Sequence, residues 1–155
     1  MSVVHVHPHY VVQMTILDVP IRPMNQGGSR LFTDPFPIYR HMKTVQSEDE
    51  GAEVAKVIAG RKAVLLTGHG ATMTGRSLPD AVGSMRLLEE QALLNWEAYC
   101  AAGRDYPTVP ADLIAEMNGR TPIGELPHFA PVYTGQSASG EGWYTELARK
   151  VSADF

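Results

Sequence analysis

The arrangement of apolar and polar positions divides this chain into short strands, a few helices and long irregular connections. Val3-Val4-His5-Val6-His7 is rich in valine, which suits a pleated strand, and Pro8 ends it because proline cannot donate to a ladder. Tyr10 to Leu17 is apolar, and its periodicity fits a helix or a strand alike. Asp18 to Asp34 reads as a loop, broken by Pro20, Pro23 and the pair Gly27-Gly28. Phe36-Pro37-Ile38-Tyr39 predicts a short edge strand.

Ser47 to Ala59 predicts a helix. Ser47 is its cap, Glu50 completes a capping box, and Val54, Val57 and Ile58 form the inward stripe before Gly60. Ala63 to Thr67 is a continuous apolar run of the length of a buried strand. Gly68-His69-Gly70 breaks the chain sharply, and Ala71 to Gly75 predicts a second strand. Ser77 then caps a long helix over Leu78 to Ala102, with Pro79 tolerated in its first turn and Asp80 at the box position. Ala81, Met85, Leu88, Ala92, Trp96 and Tyr99 recur every three or four residues along one face, and Gly103 ends the helix. Pro110 to Met117 predicts a further short helix. Asn118 to Gly142 is irregular, and Trp143 to Val151 predicts a terminal helix. No internal repeat or linker stands out, so the expected organisation is a single domain over residues 1–155.

Composition narrows the function classes. The chain has 155 residues, 13 Lys and Arg against 17 Asp and Glu, and a net charge of -4 without a basic block, which argues against a nucleic-acid partner. No apolar run approaches the ~20 residues of a membrane span. The N-terminus lacks the positive-then-apolar pattern of a signal peptide. A soluble, cytoplasmic protein is expected. The one cysteine, Cys100, excludes both a disulfide framework and a zinc site built of thiolates.

The candidate chemistry lies in the histidines. In a strand, His5 and His7 point to one face with Cα atoms roughly 6.5 Å apart. Two imidazoles so placed can meet one ion at ~2.0–2.1 Å. Taken alone, the pair reads first as surface histidines in a tolerant N-terminal strand. His69 stands between two glycines at the end of a buried strand, where packing calls for no histidine. His5, His7 and His69 together make a three-histidine site, whose neutral ligands would leave a bound zinc its charge and an open position. His9 and His128 are candidates for contact with a substrate, and His41 reads as exposed. Glu48, Asp49 and Glu50 suit a helix N-terminus. Arg30 and Arg40 could steer a carboxylate, but each reads first as a solvated charge.

These residues carry a resemblance. Val3-Val4-His5-Val6-His7-Pro8, then Leu65-Leu66-Thr67-Gly68-His69-Gly70, then Gly75-Arg76-Ser77-Leu78 and a helix with Glu89-Glu90 occur in the order found in the class II aldolase/adducin family. The resemblance covers about residues 3–103. It implies an α/β fold of three layers, α/β/α, around a central, mainly antiparallel sheet, with a C-terminal helical and loop extension over 104–155. It also implies that His5, His7 and His69 hold a divalent ion, usually Zn2+, with Mn2+, Co2+ or Fe2+ as alternatives. Members include sugar-phosphate aldolases, an epimerase, a dehydratase and decarboxylases of hydroxylated aromatic acids, while adducin heads share the fold without known catalysis. The stretch from Asn95-Trp96 through Tyr106-Pro107, followed by Leu126-Pro127-His128-Phe129, resembles the decarboxylase branch.

Family members carry strands, phosphate-holding segments and an acidic acid/base ahead of the His-x-His strand, whereas here His5 follows four residues. The expected form is therefore truncated at the N-terminus: a fragment, a chain that has lost the segment, or one whose partner supplies it. The first functional expectation is a divalent-metal-dependent carbon–carbon lyase, a decarboxylase of a small hydroxylated aromatic or keto acid acting through a metal-stabilised enolate. His128, Tyr133 and His9 are its candidate proton donors by residue type. The alternatives are an aldolase or epimerase of a small sugar or sugar phosphate, and a non-catalytic or partner subunit. A truncated sheet would expose an edge at Val3 to His7, so a homo-oligomer or a complex with the completing chain is expected.

Overall fold

The computed structural model describes residues 1–130 and 142–153. They fall into two units, Met1–Asn118 and Gly119–Phe155. The first unit is built on a four-stranded sheet of β1 (Ser2–Val6), β2 (Ile38–Tyr39), β3 (Ala63–Leu66) and β4 (Gly70–Gly75), in the order β1-β4-β3-β2. β4 runs antiparallel to both β1 and β3, while β2 runs parallel to β3. Pro8 follows the first strand in an extended conformation.

Strand alternation gives the sheet two different faces. Val4, Ala63, Leu65, Ala71 and Met73 point toward α1 (His9–Ile16) and α4 (Leu78–Ala102) and form the main core with Val11, Met14 and Leu88. Val64 and Leu66 point the other way, and burial of both comes with α3 (Glu48–Ile58) packed against β2 and β3. This is an α/β architecture with helices on both sides of a mainly antiparallel sheet. The segment whose periodicity was ambiguous folds as α1, since burying Val11, Met14 and Thr15 together needs the helical period.

α3 and α4 start where their caps predict. The Ser47 hydroxyl accepts the Glu50 N–H at 3.2 Å, and the Ser77 hydroxyl accepts the Asp80 N–H at 3.3 Å. The returning carboxylates reach one residue beyond a standard capping box, to the N–H groups of Gln46 and Arg76. Val54, Val57 and Ile58 are only half-buried, because α3 covers a narrow part of the sheet.

One element differs from expectation: the loop over 18–34 contains α2 (Gln26–Leu31). Asn25 caps it by accepting the Gly28 N–H at 2.9 Å. The paired glycines serve close packing rather than a turn, since a Cβ at Gly28 would stand 2.1 Å from Oε1 of Gln91 on α4.

α4 buries Ala81, Met85, Leu88 and Ala92, as its periodicity predicts, while Trp96 and Tyr99 are half-buried against the core. It also buries Ser84, Gln91 and Asn95. These amides replace a missing ladder for the irregular chain beside them. Gln91 accepts the Met24 N–H at 2.9 Å. Asn95 accepts the Arg22 N–H at 3.0 Å and returns a bond to the Arg22 carbonyl at 2.8 Å. The Tyr106 hydroxyl donates to the same Asn95 oxygen. α5 (Ala111–Asn118) closes this unit, and Asn118 donates to the Ser29 carbonyl at 3.2 Å.

The second unit contains a 3-10 turn at Ile123–Glu125 and α6 (Gly142–Ala153), in which Arg149 pairs with Glu146 at 2.8 Å. Among the described residues, no helix is long and apolar enough to cross a membrane.

Replacing Asn95 by Leu keeps the volume but leaves the Arg22 backbone and the Tyr106 hydroxyl without their buried partner. The expected loss is about 2–4 kcal/mol of stability, read as a lower urea midpoint with an unchanged slope.

Candidate metal centre

The site begins with strand register. His5 pairs with Thr72 across β1 and β4, so both side chains emerge on the face opposite the main core. The ladder ends at Val6 and Ala71. His7 and His69 therefore lie just past it, His7 across from Gly70 and His69 directly before Gly70 in the chain. Gly68, at φ +63, adopts the left-handed conformation that glycine takes without strain, and so turns the chain. The His69 N–H donates to the Leu66 carbonyl at 3.0 Å.

Gly70 is a position of close approach. A Cβ there would stand 2.3 Å from the Val6 carbonyl oxygen and 2.8 Å from a ring carbon of His7. The missing side chain lets the end of β1 lie over the start of β4, with the His7 ring directly above.

One ligand-capable nitrogen from each of His5, His7 and His69 falls within 4.8 Å of the others. The three ring centroids are 4.6–5.1 Å apart, and every pair meets edge to face. Nε2 of His5 and Nε2 of His7 are 3.2 Å apart. Two nitrogens sharing a zinc at ~2.0–2.1 Å would stand roughly 3.0–3.4 Å apart, so the spacing suits a common ion. Nδ1 of His5 meets the Thr72 hydroxyl at 3.1 Å, which leaves Nε2 as the nitrogen turned to its neighbours. Nδ1 of His69 is buried and has no hydrogen-bond partner among the described residues. A buried nitrogen without a partner is costly unless something else occupies its lone pair. These three features fit a divalent cation.

Burial comes first in lowering the His5 pKa from the ordinary histidine value of 6.5, followed by the charges that His69 and His7 would carry. The neutral imidazole it favours is the form that binds metals. A cavity of about 430 Å³ opens beside the three rings. Val45, Val54 and Leu66 give it an apolar wall, and Thr44 and Thr72 supply hydroxyls.

The other sequence candidates have the following surroundings. His9 starts α1, is exposed, and sets its ring against Tyr10 at 5.0 Å. His41 is half-buried and stacks on Tyr39. Arg40 pairs with Asp18 at 2.6 Å, and Arg30 is exposed in the last turn of α2. His128 belongs to the second unit, exposed beside Phe129. Tyr133 lies outside the described residues.

Thr72 and the wall formed by Val45, Val54 and Leu66 were not singled out by the sequence reading. Alternation along β4 was the available signal for Thr72, since its neighbours Ala71 and Met73 face the core. Its pairing with His5, 67 residues away, depends on a register that neither segment reveals alone.

Comparison with known proteins adds the following. Residues 1–96 match the family model described as Class II Aldolase and Adducin N-terminal domain. The 3,4-dihydroxyphthalate decarboxylase of Terrabacter sp. (strain DBF63) is 30% identical over 152 residues, covering 96% of this chain and 58% of the relative. That of Arthrobacter keyseri is 29% identical over 158 residues, covering 98% and 57%. An aldolase II superfamily protein from Pseudomonas syringae superposes with a TM-score of 0.65 over 90% of this chain and 55% of the other, a likeness of fold at 18% identity. The chain thus spans little more than half the length of each.

Two outcomes follow from this geometry. Gly70→Ala drives a Cβ into backbone and costs about 1–3 kcal/mol, measured by urea unfolding. Because the folded His5 pKa lies below 6.5, the unfolded chain binds the proton more readily between the two values. The stability that His5 contributes above pH 6.5 is therefore lost as pH falls through its folded pKa. Urea midpoints of the metal-free protein at pH 7.5 and 5.5 should show that drop, and His5→Gln should reduce it.

Proposed function

Because the chain belongs to the class II aldolase and adducin family, we propose that it forms the metal-binding part of a divalent-metal-dependent carbon–carbon lyase. Within that class, we read it as a decarboxylase of a small hydroxylated aromatic acid. The observation that carries the reading is the convergence of His5, His7 and His69 beside a cavity with one apolar wall. The relatives named 3,4-dihydroxyphthalate decarboxylase support the choice of reaction.

In this reading His5, His7 and His69 hold the ion, and zinc suits a set of three imidazoles. When bound, it supplies Lewis acidity toward an electronegative substrate atom. The chain's own groups do the rest. Thr72 holds the tilt of the His5 ring through Nδ1, and Gly70 lets His7 reach the site. Val45, Val54 and Leu66 offer the carbon skeleton a dry surface, which suits a ring better than a polyhydroxylated chain.

The reaction balances simply. The bond between the carboxyl carbon and the substrate carbon breaks, and its electron pair stays on the substrate. Carbon dioxide leaves, and one proton takes its place. We propose His9, His128 and Tyr133 as the groups from which that donor comes. A homo-oligomer, or a partner chain that completes the cavity, is part of the same proposal.

The test is elemental mass spectrometry of the purified protein beside a His69→Ala variant, followed by assay of carbon dioxide release from hydroxylated aromatic acids. The expected result is about one divalent ion per chain, lost in the variant, with metal-dependent gas release. No metal in either protein after incubation with zinc would overturn the reading. Metal-dependent cleavage of a sugar without carbon dioxide would replace it with the aldolase alternative.

A further inference from the structure

The β1–β4 ladder reaches His5 but stops one residue short of His7 and leaves His69 outside, so ties beyond the ladder bear on the separation of those two rings. α1 begins two residues after His7 and is tied at several points along its length. At its first turn, the N–H groups of Tyr10 and Val11 donate to Oε1 and Oε2 of Glu89, at 3.0 and 3.1 Å. Pro8, the residue in the capping position, makes no side-chain cap bond. A carboxylate from α4, 78 residues away in sequence, does this work instead and favours the positive end of the helix.

Near the other end, Thr15 is buried. Its hydroxyl donates to the Val12 carbonyl at 2.7 Å and accepts the Gly68 N–H at 3.1 Å. Gly68 immediately precedes His69. Arg104 also donates to the Leu17 and Asp18 carbonyls just beyond the helix, at 3.0 and 3.2 Å. One helix of eight residues thus holds the backbone leaving His7 and the backbone entering His69.

We infer that α1 is a spacer that sets the distance between the His7 and His69 rings, with Glu89 and Thr15 as its positioning residues. The inference rests on the metal-binding reading above. Both residues bond to backbone, and each acts through the backbone it grips. Thr15 is the more direct of the two, because only one bond separates the residue it holds from His69. A shift of a few tenths of an ångström at Gly68 would move one nitrogen of three away from a shared ion. Residues that orient metal ligands typically change metal affinity by ~10–100-fold when replaced.

The experiment compares wild type, Thr15→Val, Thr15→Ser, Glu89→Gln and Val11→Ala by zinc competition titration and by the visible spectrum of the Co2+-substituted protein. Val11→Ala is the control, since it cuts a cavity in the same helix while keeping the backbone N–H that Glu89 accepts. Thr15→Val should weaken zinc binding by about 10-fold or more and alter the Co2+ bands. Thr15→Ser should restore both, and Glu89→Gln should fall between. Val11→Ala should lower thermal stability while leaving affinity and spectrum as in wild type.

Wild-type affinity in Thr15→Val would overturn the inference. So would failure of Thr15→Ser to rescue, or a loss in Val11→Ala equal to that in Thr15→Val, because affinity would then track stability alone. If wild type itself binds neither zinc nor Co2+, the metal reading fails, a result distinct from all of these.

Discussion

The antiparallel pairing of β1 with β4 is the constraint on which the rest of the first unit depends. It sets His5 against Thr72, carries Val4 into the core opposite Met73, and delivers the chain to Gly70 at the point where His7 crosses it. A slip of one residue would send His5 to the core face and Val4 to the cavity, since side chains alternate along a strand. The apolar face therefore enforces the register, and the register assembles the polar face. Burial that serves stability and convergence that serves chemistry follow from the same hydrogen-bonded pairs.

α4 is the second organising element, and it works mainly through polar atoms. Glu89, Gln91 and Asn95 spend their hydrogen bonds on backbone N–H groups of α1 and of the chain over 22–24. Backbone outside regular structure must find partners when it is buried. Here a helix supplies them in place of a neighbouring strand. This explains how an irregular connection can lie against the core, and why an apolar stripe with amides beside it describes α4 better than an apolar stripe alone.

Much of this was legible in the sequence, for identifiable reasons. Capping serines, glycine stops and the apolar period located α3 and α4, because those signals are local. The valine-rich start and the run over residues 63–67 located the strands that carry and flank the histidines. His5, His7 and His69 could be grouped because an i, i+2 pair and a glycine-flanked turn are also local patterns. Three things were not legible. α2 has the composition of a loop because its glycines answer to Gln91, far along the chain. Thr72 carries no local mark because its partner is set by register. Glu89 and Thr15 were not recognised as ties because each bonds to backbone, which carries no trace in residue type.

The separation of the site's parts along the chain has a consequence for how the protein is made. β3 and β4 are joined by three residues, so the turn bearing His69 closes at little entropic cost and can form early. β1 must find β4 across 67 residues, and non-local pairing of that kind is slow to form. The third imidazole thus waits for the other two until most of the chain has condensed. An ion that needs all three would hold tightly only to a finished molecule, and its retention would record that folding was complete.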